Sequence, residues 1–473
     1  MKRILWLTVL FLCLMCMSAS AQTIRVSPGE MSITQALSVC ADGDEIVLLP
    51  GSYGESTETF PITITRSVTL RAEPGAVIDA PPFCAAFRIE APDVAMSGLD
   101  IRFRHIGLYA IGDGLTLEKC HISLADPAWR TSSCAVWLGG IRGAHISGCE
   151  FTGCGVCMAG PPISSKSEGL PVLTGMFEVG EEKEYFTTHV IENCLVNGKP
   201  MYYLTGLETV QVPAGAGQVI CADCGTVMLE NQDVSDTSIG IQVMYADKVT
   251  VRSCRADRCG IFGIYLAKCG RGLIADSVAQ QTNHGFDVRD CTDACLLRCN
   301  AVKCDQGLFF SFADRCMMVD CTVTETGQGI FTARGHNNLF YRCHVTECEN
   351  GLNIQKDADA VIRGCEVKGC TVCGIRLDAS PSECSGCLIL DNWVGIMAYD
   401  PVSFTISDNS FISNRSCGLY LRDIGPSRIM GNTFAGHKKT GAEIRGGLSG
   451  IFWYGNTLDR PVLVNGTETD EPF

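Results

Sequence analysis

The chain has 473 residues, of which 46% are hydrophobic, 50 are Gly and 29 are Cys, a composition that excludes a disordered chain. Its 37 Lys+Arg face 52 Asp+Glu, a formal net charge of −15, which disfavours nucleic acid and anionic membranes as partners. Nor does that balance favour a polyanionic substrate, unless a local basic patch or a bound cation compensates.

Residues 1–21 read as a signal peptide. Met1, Lys2 and Arg3 make a positive start, Ile4 to Met17 is almost wholly apolar, and Ala19-Ser20-Ala21 offers a small-x-small cleavage site. The apolar run is short of the ~20 residues that a spanning helix needs. The expectation is a secreted or periplasmic protein starting at Gln22, with no membrane insertion; loss of Lys2 and Arg3 takes Lys+Arg from 37 to 35 against 52 Asp+Glu. Residues 22–64 read as an N-terminal cap and first strands, with a short amphipathic helix over Ser32 to Val39 and a strand over Glu45 to Leu49. Residues 65–158 carry irregular coils marked by Gly107, Ala135 and Gly155. Residues 159–216 form an insertion, with Pro161-Pro162 and the acidic run Glu178 to Glu184 as loop and a return to strand at His189-Val190-Ile191.

Regular coils occupy residues 217–445. Gly followed by apolar-x-apolar recurs at Gly240, Gly263, Gly285, Gly307, Gly329, Gly351, Gly374, Gly395, Gly418 and Gly441, at intervals of 21 to 23, with Thr332 the one polar exception. Fourteen residues after most of these glycines and after Gly217 (thirteen in two coils) comes Asn, Cys or Asp: Asn231, Cys254, Asp276, Cys299, Cys321, Cys343, Cys365, Cys387, Asn409 and Asn432. A second such column runs through Cys259, Cys304, Cys348, Cys370, Asn392 and Asn414. Equal phases of successive coils stack about 4.8 Å apart in a parallel sheet, so these columns are vertical ladders in which an Asn amide bonds to its neighbours and Cys is a small buried substitute. Alternation places Ile264 and Leu266 inward around Tyr265, and Leu308 and Phe310 inward around Phe309. The fold class expected is all-β, a single-stranded right-handed parallel β-helix of coils of about twenty-two residues with an N-terminal helical cap. Residues 446–473 form a C-terminal cap and tail with no legible element after Asn456.

One segment is more specific than the coils. Asn193-Cys194-Leu195-Val196-Asn197-Gly198-Lys199-Pro200-Met201-Tyr202-Tyr203, followed by Gly217-Gln218-Val219 and the Asn- and Gly-rich coils, resembles the NosD-type β-helix family, with one extra residue between the first Asn and the Val. The likeness covers roughly residues 185 to 445. It implies export and a β-helix. The named member of that family helps mature copper sites in the periplasm, so copper enters here only through the resemblance.

Two cysteines lie in the signal and 27 beyond it, and thirteen of these occupy ladder phases, where stacked side chains point the same way rather than toward each other. Free core-facing thiols are therefore expected. Four C-x-x-C pairs occur: Cys154/Cys157, Cys221/Cys224, Cys370/Cys373 and Cys384/Cys387. Only the pair Cys221/Cys224 contains no ladder cysteine, which makes these two the candidate metal ligands, although a structural disulfide is the preferred reading of the pair.

The phase two residues after the repeat glycine should face solvent, and there it places Tyr109, Trp137, Tyr265, Phe309, Phe331 and Tyr420, an aromatic track on which sugar rings could stack. The alternative is that these rings pack on one another or beneath the insertion. Catalysis would need an acid, a base and a charge neutraliser on one face. The candidates are His284, Asp287, Asp290, Arg334 and His336, within a patch that also holds Asp314, Arg315 and Lys356. The reading preferred is a non-catalytic exported protein that recognises a surface polysaccharide or a protein partner, with no cofactor. A copper-site maturation accessory and a polysaccharide lyase, hydrolase or epimerase are the alternatives.

Overall fold

The computed structural model describes residues 21–161, 182–378, 381–399, 402–447 and 450–469. Residues 1–20 of the segment read as a signal peptide, and residues 162–181 of the segment read as an insertion, lie outside the described residues. The chain winds as a parallel β-solenoid: coils contribute short strands, and strands of equal phase stack into sheets. The N-terminal coils build sheet A (Thr23–Val26 to Val190–Glu192), sheet B (Gly51–Tyr53 to Leu195–Val196) and sheet C (Ile62–Ile64 to Val156–Ala159). The later coils build sheet D (Lys199–Thr205 to Val462–Val464), sheet E (Thr209–Gln211 to Ile451–Tyr454) and sheet F (Arg255–Asp257 to Thr457–Leu458).

The expected N-terminal cap is present. Helix α1, Ile33–Val39, begins at Ser32, whose Oγ accepts from the Gln35 N–H at 3.0 Å while Gln35 Oε1 accepts from the Ser32 N–H at 2.8 Å. Ile33, Ala36 and Leu37 are buried beneath it. At the far end, which the sequence left illegible, Thr467–Thr469 folds back antiparallel on Val462–Val464 and closes the edge of sheet D.

The repeat glycines stand where one coil presses on the next. A Cβ at Gly307 would lie 2.5 Å from the Gly329 carbonyl oxygen and 2.6 Å from Val323 Cγ1, so no larger residue fits without moving backbone. Ile264, Leu266, Leu308 and Phe310 point into the core of the later coils, as the alternation required. Thr332 is core-facing too, and its polarity has a partner: its Oγ1 donates to Asp357 at 2.5 Å inside the solenoid, where Asn338 donates to the same oxygen at 2.9 Å.

Both ladders are present with a phase correction. Asn231 and Asp276 are not ladder residues; they hold the left-handed corner (φ 52° and 53°) one residue earlier, and buried Gln232 and Ser277 take the ladder sites. Asn and Asp suit a left-handed corner as well as a ladder, which is why the spacing alone misassigned them. Along the first ladder each thiol reaches a carbonyl of the preceding coil, Cys321 to Leu296 at 3.4 Å and Cys343 to Met318 at 3.4 Å. Asn409 and Asn432 send Nδ2 to the equivalent carbonyls of Cys384 and Ile406 at 3.0 and 2.8 Å. Cys thus replaces Asn as a donor, not only as a small filler. All 27 described cysteines are free thiols.

The winding is broken inside the segment read as an insertion. Sheets A and B end on Val190–Glu192 and Leu195–Val196, and the second stack already begins at Lys199–Thr205 rather than at residue 217. Between them, Asn197 (φ 52°) and Gly198 (φ 74°) form a two-residue turn with both residues left-handed, pairing Val196 with Lys199 and Leu195 with Pro200 antiparallel. This reversal divides the expected single β-helix into two stacks. The last strand of sheet C, Val156–Ala159, abuts the outer face of sheet D, and side chains satisfy its free edge. Gln218 Nε2 donates to Val156 O at 2.7 Å and Gln218 Oε1 accepts from Val156 N at 3.0 Å, while Gln242 Nε2 donates to Met158 O at 2.7 Å. Ser238 Oγ accepts from Gly155 N at 2.9 Å.

Candidate functional site

The junction of the two stacks overturns the exposure expected of the aromatic track. Tyr109, Trp137, Tyr265 and Phe309 do point out of their sheets, but they are only 5, 3, 0 and 7% exposed. A continuous apolar cluster runs from Tyr109, Trp137 and Cys157 of the first stack to Ile220, Met244, Phe262 and Tyr265 on the outer face of sheet D. Phe262 stacks on Tyr265 with ring centroids 4.6 Å apart, and Phe309 on Phe331 at 4.9 Å. Phe331 and Tyr420 are half-buried, Tyr420 against Cys373, Val394 and Cys417. Residue phase tells which side of a sheet a ring faces. What lies beyond that side is decided by the second stack.

The catalytic candidates separate into two places. His284 and Asp287 meet on the outer face of sheet D, His284 Nδ1 lying 2.8 Å from Asp287 Oδ2, and Arg289 grips the same carboxylate through Nε and Nη2 at 2.8 and 2.9 Å. Burial opposes ionisation of Asp287, yet Arg289 and His284 outweigh it and hold the carboxyl below its ordinary range. His284 Nε2 has no hydrogen-bond partner among the described residues, and the ring sits edge-on between Phe262 and Phe309 at 5.1 and 5.9 Å. With His284 2% and Asp287 0% exposed, this trio is closed to a substrate in the conformation described. Asp290 and Arg334 instead occupy left-handed corners between sheets D and E, Arg334 over the exposed Phe312 ring at 5.2 Å, and His336 pairs with Asp314 at 3.0 Å in solvent. His284, Asp287 and Arg289 thus converge in a buried place, and Asp290, Arg334 and His336 lie apart from them.

Cys221 and Cys224 are buried free thiols, which corrects the expected disulfide. Cys224 Sγ is turned to the carbonyls of Ala222 and Leu204 at 3.4 and 3.7 Å. Among the described residues no three His, Cys, Asp or Glu side chains are grouped to hold a metal.

Two concave surfaces among the described residues bear on binding. One, of about 560 Å³, lies in the junction, where the Asn197-Lys199 turn meets residues 124–130 and 255–258. Its cations are already matched: Arg130 and Arg258 both hold Asp236, Arg255 holds Asp257, and Lys199 Nζ donates to Asp233 O at 3.0 Å. The other, of about 950 Å³, runs along the outer face of sheet E in the last coils. Register places Val361, Glu383, Thr405, Arg428 and Phe452 in one outward column, beside Arg363, Ser385, Ser407, Met430 and Tyr454 in the next. Phe452 is 54% and Tyr454 70% exposed, their centroids 6.1 Å apart. These are the outward rings that residue phase missed, because they lie after the last repeat glycine and on a different sheet from the one the motif marks.

Stacked parallel strands, inward thiol and amide ladders and an outward groove define a β-helix protein. The family model of the right-handed beta helix region matches residues 89–325, 277–400 and 306–458, and the chain belongs to that family. No curated protein sequence matches it. Among solved structures it is similar to the periplasmic alginate epimerase AlgG (10% identity, 88% of this chain and 85% of that chain, TM-score 0.31). It is also similar to the A-module of the Azotobacter vinelandii mannuronan C-5 epimerase AlgE4 (12%, 89% and 87%, 0.32) and to the catalytic unit of a Streptomyces thermodiastaticus GH87 α-1,3-glucanase (11%, 93% and 69%, 0.30). At these values the likeness reaches no site residue.

Proposed function

We propose that this is an exported, non-catalytic β-helix protein that binds a neutral polysaccharide along the groove of sheet E. The observation that carries the reading is the exposed Phe452 and Tyr454 pair at the end of two outward columns bearing Glu383, Thr405, Arg428 and Ser385. Rings supply an apolar face for a pyranose, and carboxylate, guanidinium and hydroxyl groups supply hydrogen bonds to its hydroxyls. Five coils at about 4.8 Å offer a track of roughly 19 Å, long enough for several sugar units. Polymer charge is limited by the protein's own charge of −15, and the groove carries acid and base together, so an uncharged chain suits it. No described helix is long and apolar enough to cross a membrane.

The test is retention on immobilised neutral glycans. Phe452→Ala and Tyr454→Ala should each weaken binding by roughly 1 kcal/mol with little change in melting temperature, because solvent-facing rings contribute little to folding. Phe309→Ala, at a buried ring stacked on Phe331, should instead lower the melting temperature and leave retention intact. Unchanged retention in both groove variants would refute the proposal.

A further inference from the structure

The binding reading makes no use of the C-x-x-C pairs, and the structure separates them by geometry. Cys370 faces the core while Cys373 lies on the outer face of sheet D with Val394 and Cys417. Cys154 sends its thiol to Ile122 O, at 3.5 Å, inside the first stack. Cys384 and Cys387 differ: both face the core, on either side of one corner between sheets E and F, and their sulfurs lie 3.9 Å apart. That corner is Ser385-Gly386, with Gly386 left-handed at φ 62° and nothing within 4 Å of the position its Cβ would take. Both sulfurs are buried, Cys384 0% and Cys387 2% exposed, behind a corner whose outer side is open. Asn409, on the following coil, clamps both residues: its Oδ1 accepts from Cys387 N at 2.9 Å and its Nδ2 donates to Cys384 O at 3.0 Å.

We infer that Cys384 and Cys387 form a reversible oxidation site, closed to an intramolecular disulfide by a small hydroperoxide such as hydrogen peroxide. The backbone separation is already set by the clamped turn, and rotation of the two side chains closes the remaining gap to a bonded pair. In the first step the Cys387 thiolate attacks one peroxide oxygen; the O–O bond breaks, hydroxide leaves, and Cys387 becomes a sulfenic acid. In the second the Cys384 sulfur attacks the sulfenic sulfur, an S–S bond forms, and water leaves. The sum is two thiols and one hydrogen peroxide giving one disulfide and two waters. Cys387 is the nucleophile because Cys384 donates its S–H to the Cys387 sulfur. The neighbouring thiols of Cys365 and Cys384 also favour the Cys387 thiolate, holding it below the ordinary thiol range.

The experiment exposes the folded full-length protein to hydrogen peroxide, traps free thiols by alkylation under denaturation, and maps peptides by mass spectrometry. The expected result is loss of two hydrogens in a peptide bridged between Cys384 and Cys387 before any other ladder cysteine is paired, reversed by dithiothreitol. In Cys384→Ser the sulfenic acid should persist on Cys387 and be captured by dimedone. In Cys387→Ser neither a bridge nor a dimedone adduct on Cys384 should form. First pairing between cysteines of different coils, or a dimedone adduct on Cys384 in Cys387→Ser, would overturn the assignment. Should a serine variant fail to fold, the wild-type peptide map alone decides, since it must show this bridge first.

Discussion

Asn432 shows at the scale of one residue what a ladder position does. Fully buried, it donates Nδ2 to Ile406 O at 2.8 Å and to Asn456 Oδ1 at 2.9 Å, and accepts at Oδ1 from Asn409 N at 3.0 Å. Asn432→Ala would leave a buried N–H and a buried carbonyl without partners, at roughly 1–3 kcal/mol each. Asn432→Cys restores the donor to the carbonyl, as thiols do lower in the same ladder. Urea unfolding should rank the proteins wild type, Cys, Ala. Asp357 gives a pH signature. Burial lifts its carboxyl above the ordinary range against the donors Asn338 and Thr332. A raised acid holds its proton more tightly folded than unfolded, so its contribution is full below the unfolded value and is lost as pH rises through the folded one. Asp357→Asn removes that loss, and melting temperatures should diverge in the variant's favour as pH rises above the ordinary Asp range of about 4. The thiols provide a third check: under non-oxidising conditions native alkylation should reach the half-buried Cys84 and Cys295 first, slowly for Cys84, which burial pushes up to about 11.

At the scale of elements, the edge of Val156–Ala159 is the feature that repays a measurement. An unpaired strand edge normally invites pairing with another chain. Here Gln218 and Gln242 imitate a neighbouring strand with their amides. Replacing both by Leu keeps bulk and removes the bonds, and should destabilise the junction by a few kcal/mol. Hydrogen exchange at the Val156 amide should accelerate before exchange in sheet E changes; uniform acceleration throughout would mean that the two stacks unfold as one unit. Corner residues add a smaller term. Arg298 and Arg342 each grip an Asp of the preceding coil through two nitrogens, Asp276 and Asp320, in solvent, where such pairs contribute little.

For the whole molecule, the charge of −15 and an isoelectric point near 5.0 set the solution behaviour. Solubility should pass through a minimum near that pH, and at neutral pH the protein should elute from an anion exchanger and flow through a cation exchanger. Retention on a polyanion column at neutral pH would contradict the choice of a neutral glycan. The two-stack arrangement also explains why a surface rich in outward rings exposes so few of them, since one stack's side face is the other's end cover.

What the sequence determined by itself was everything that recurs: coil length, repeat glycines pressed between coils, inward columns around Tyr265 and Phe309, and thiol and amide ladders. Each of these depends on contacts between residues about twenty-two apart, and a period in the chain is a distance in the fold. The tertiary structure decided what occurs once. The Asn197-Gly198 turn was visible as a motif, but its consequence was not: a reversed strand sends the second stack across the first, and only then do Trp137 and Tyr265 share a cluster. Nothing in the phase of Tyr265 records that burial, because phase fixes the direction of a side chain and not what stands in front of it. For the same reason the groove of Phe452 and Tyr454 was not found from the repeat, since the motif marks sheet D and these rings stand on sheet E, after the last repeat glycine.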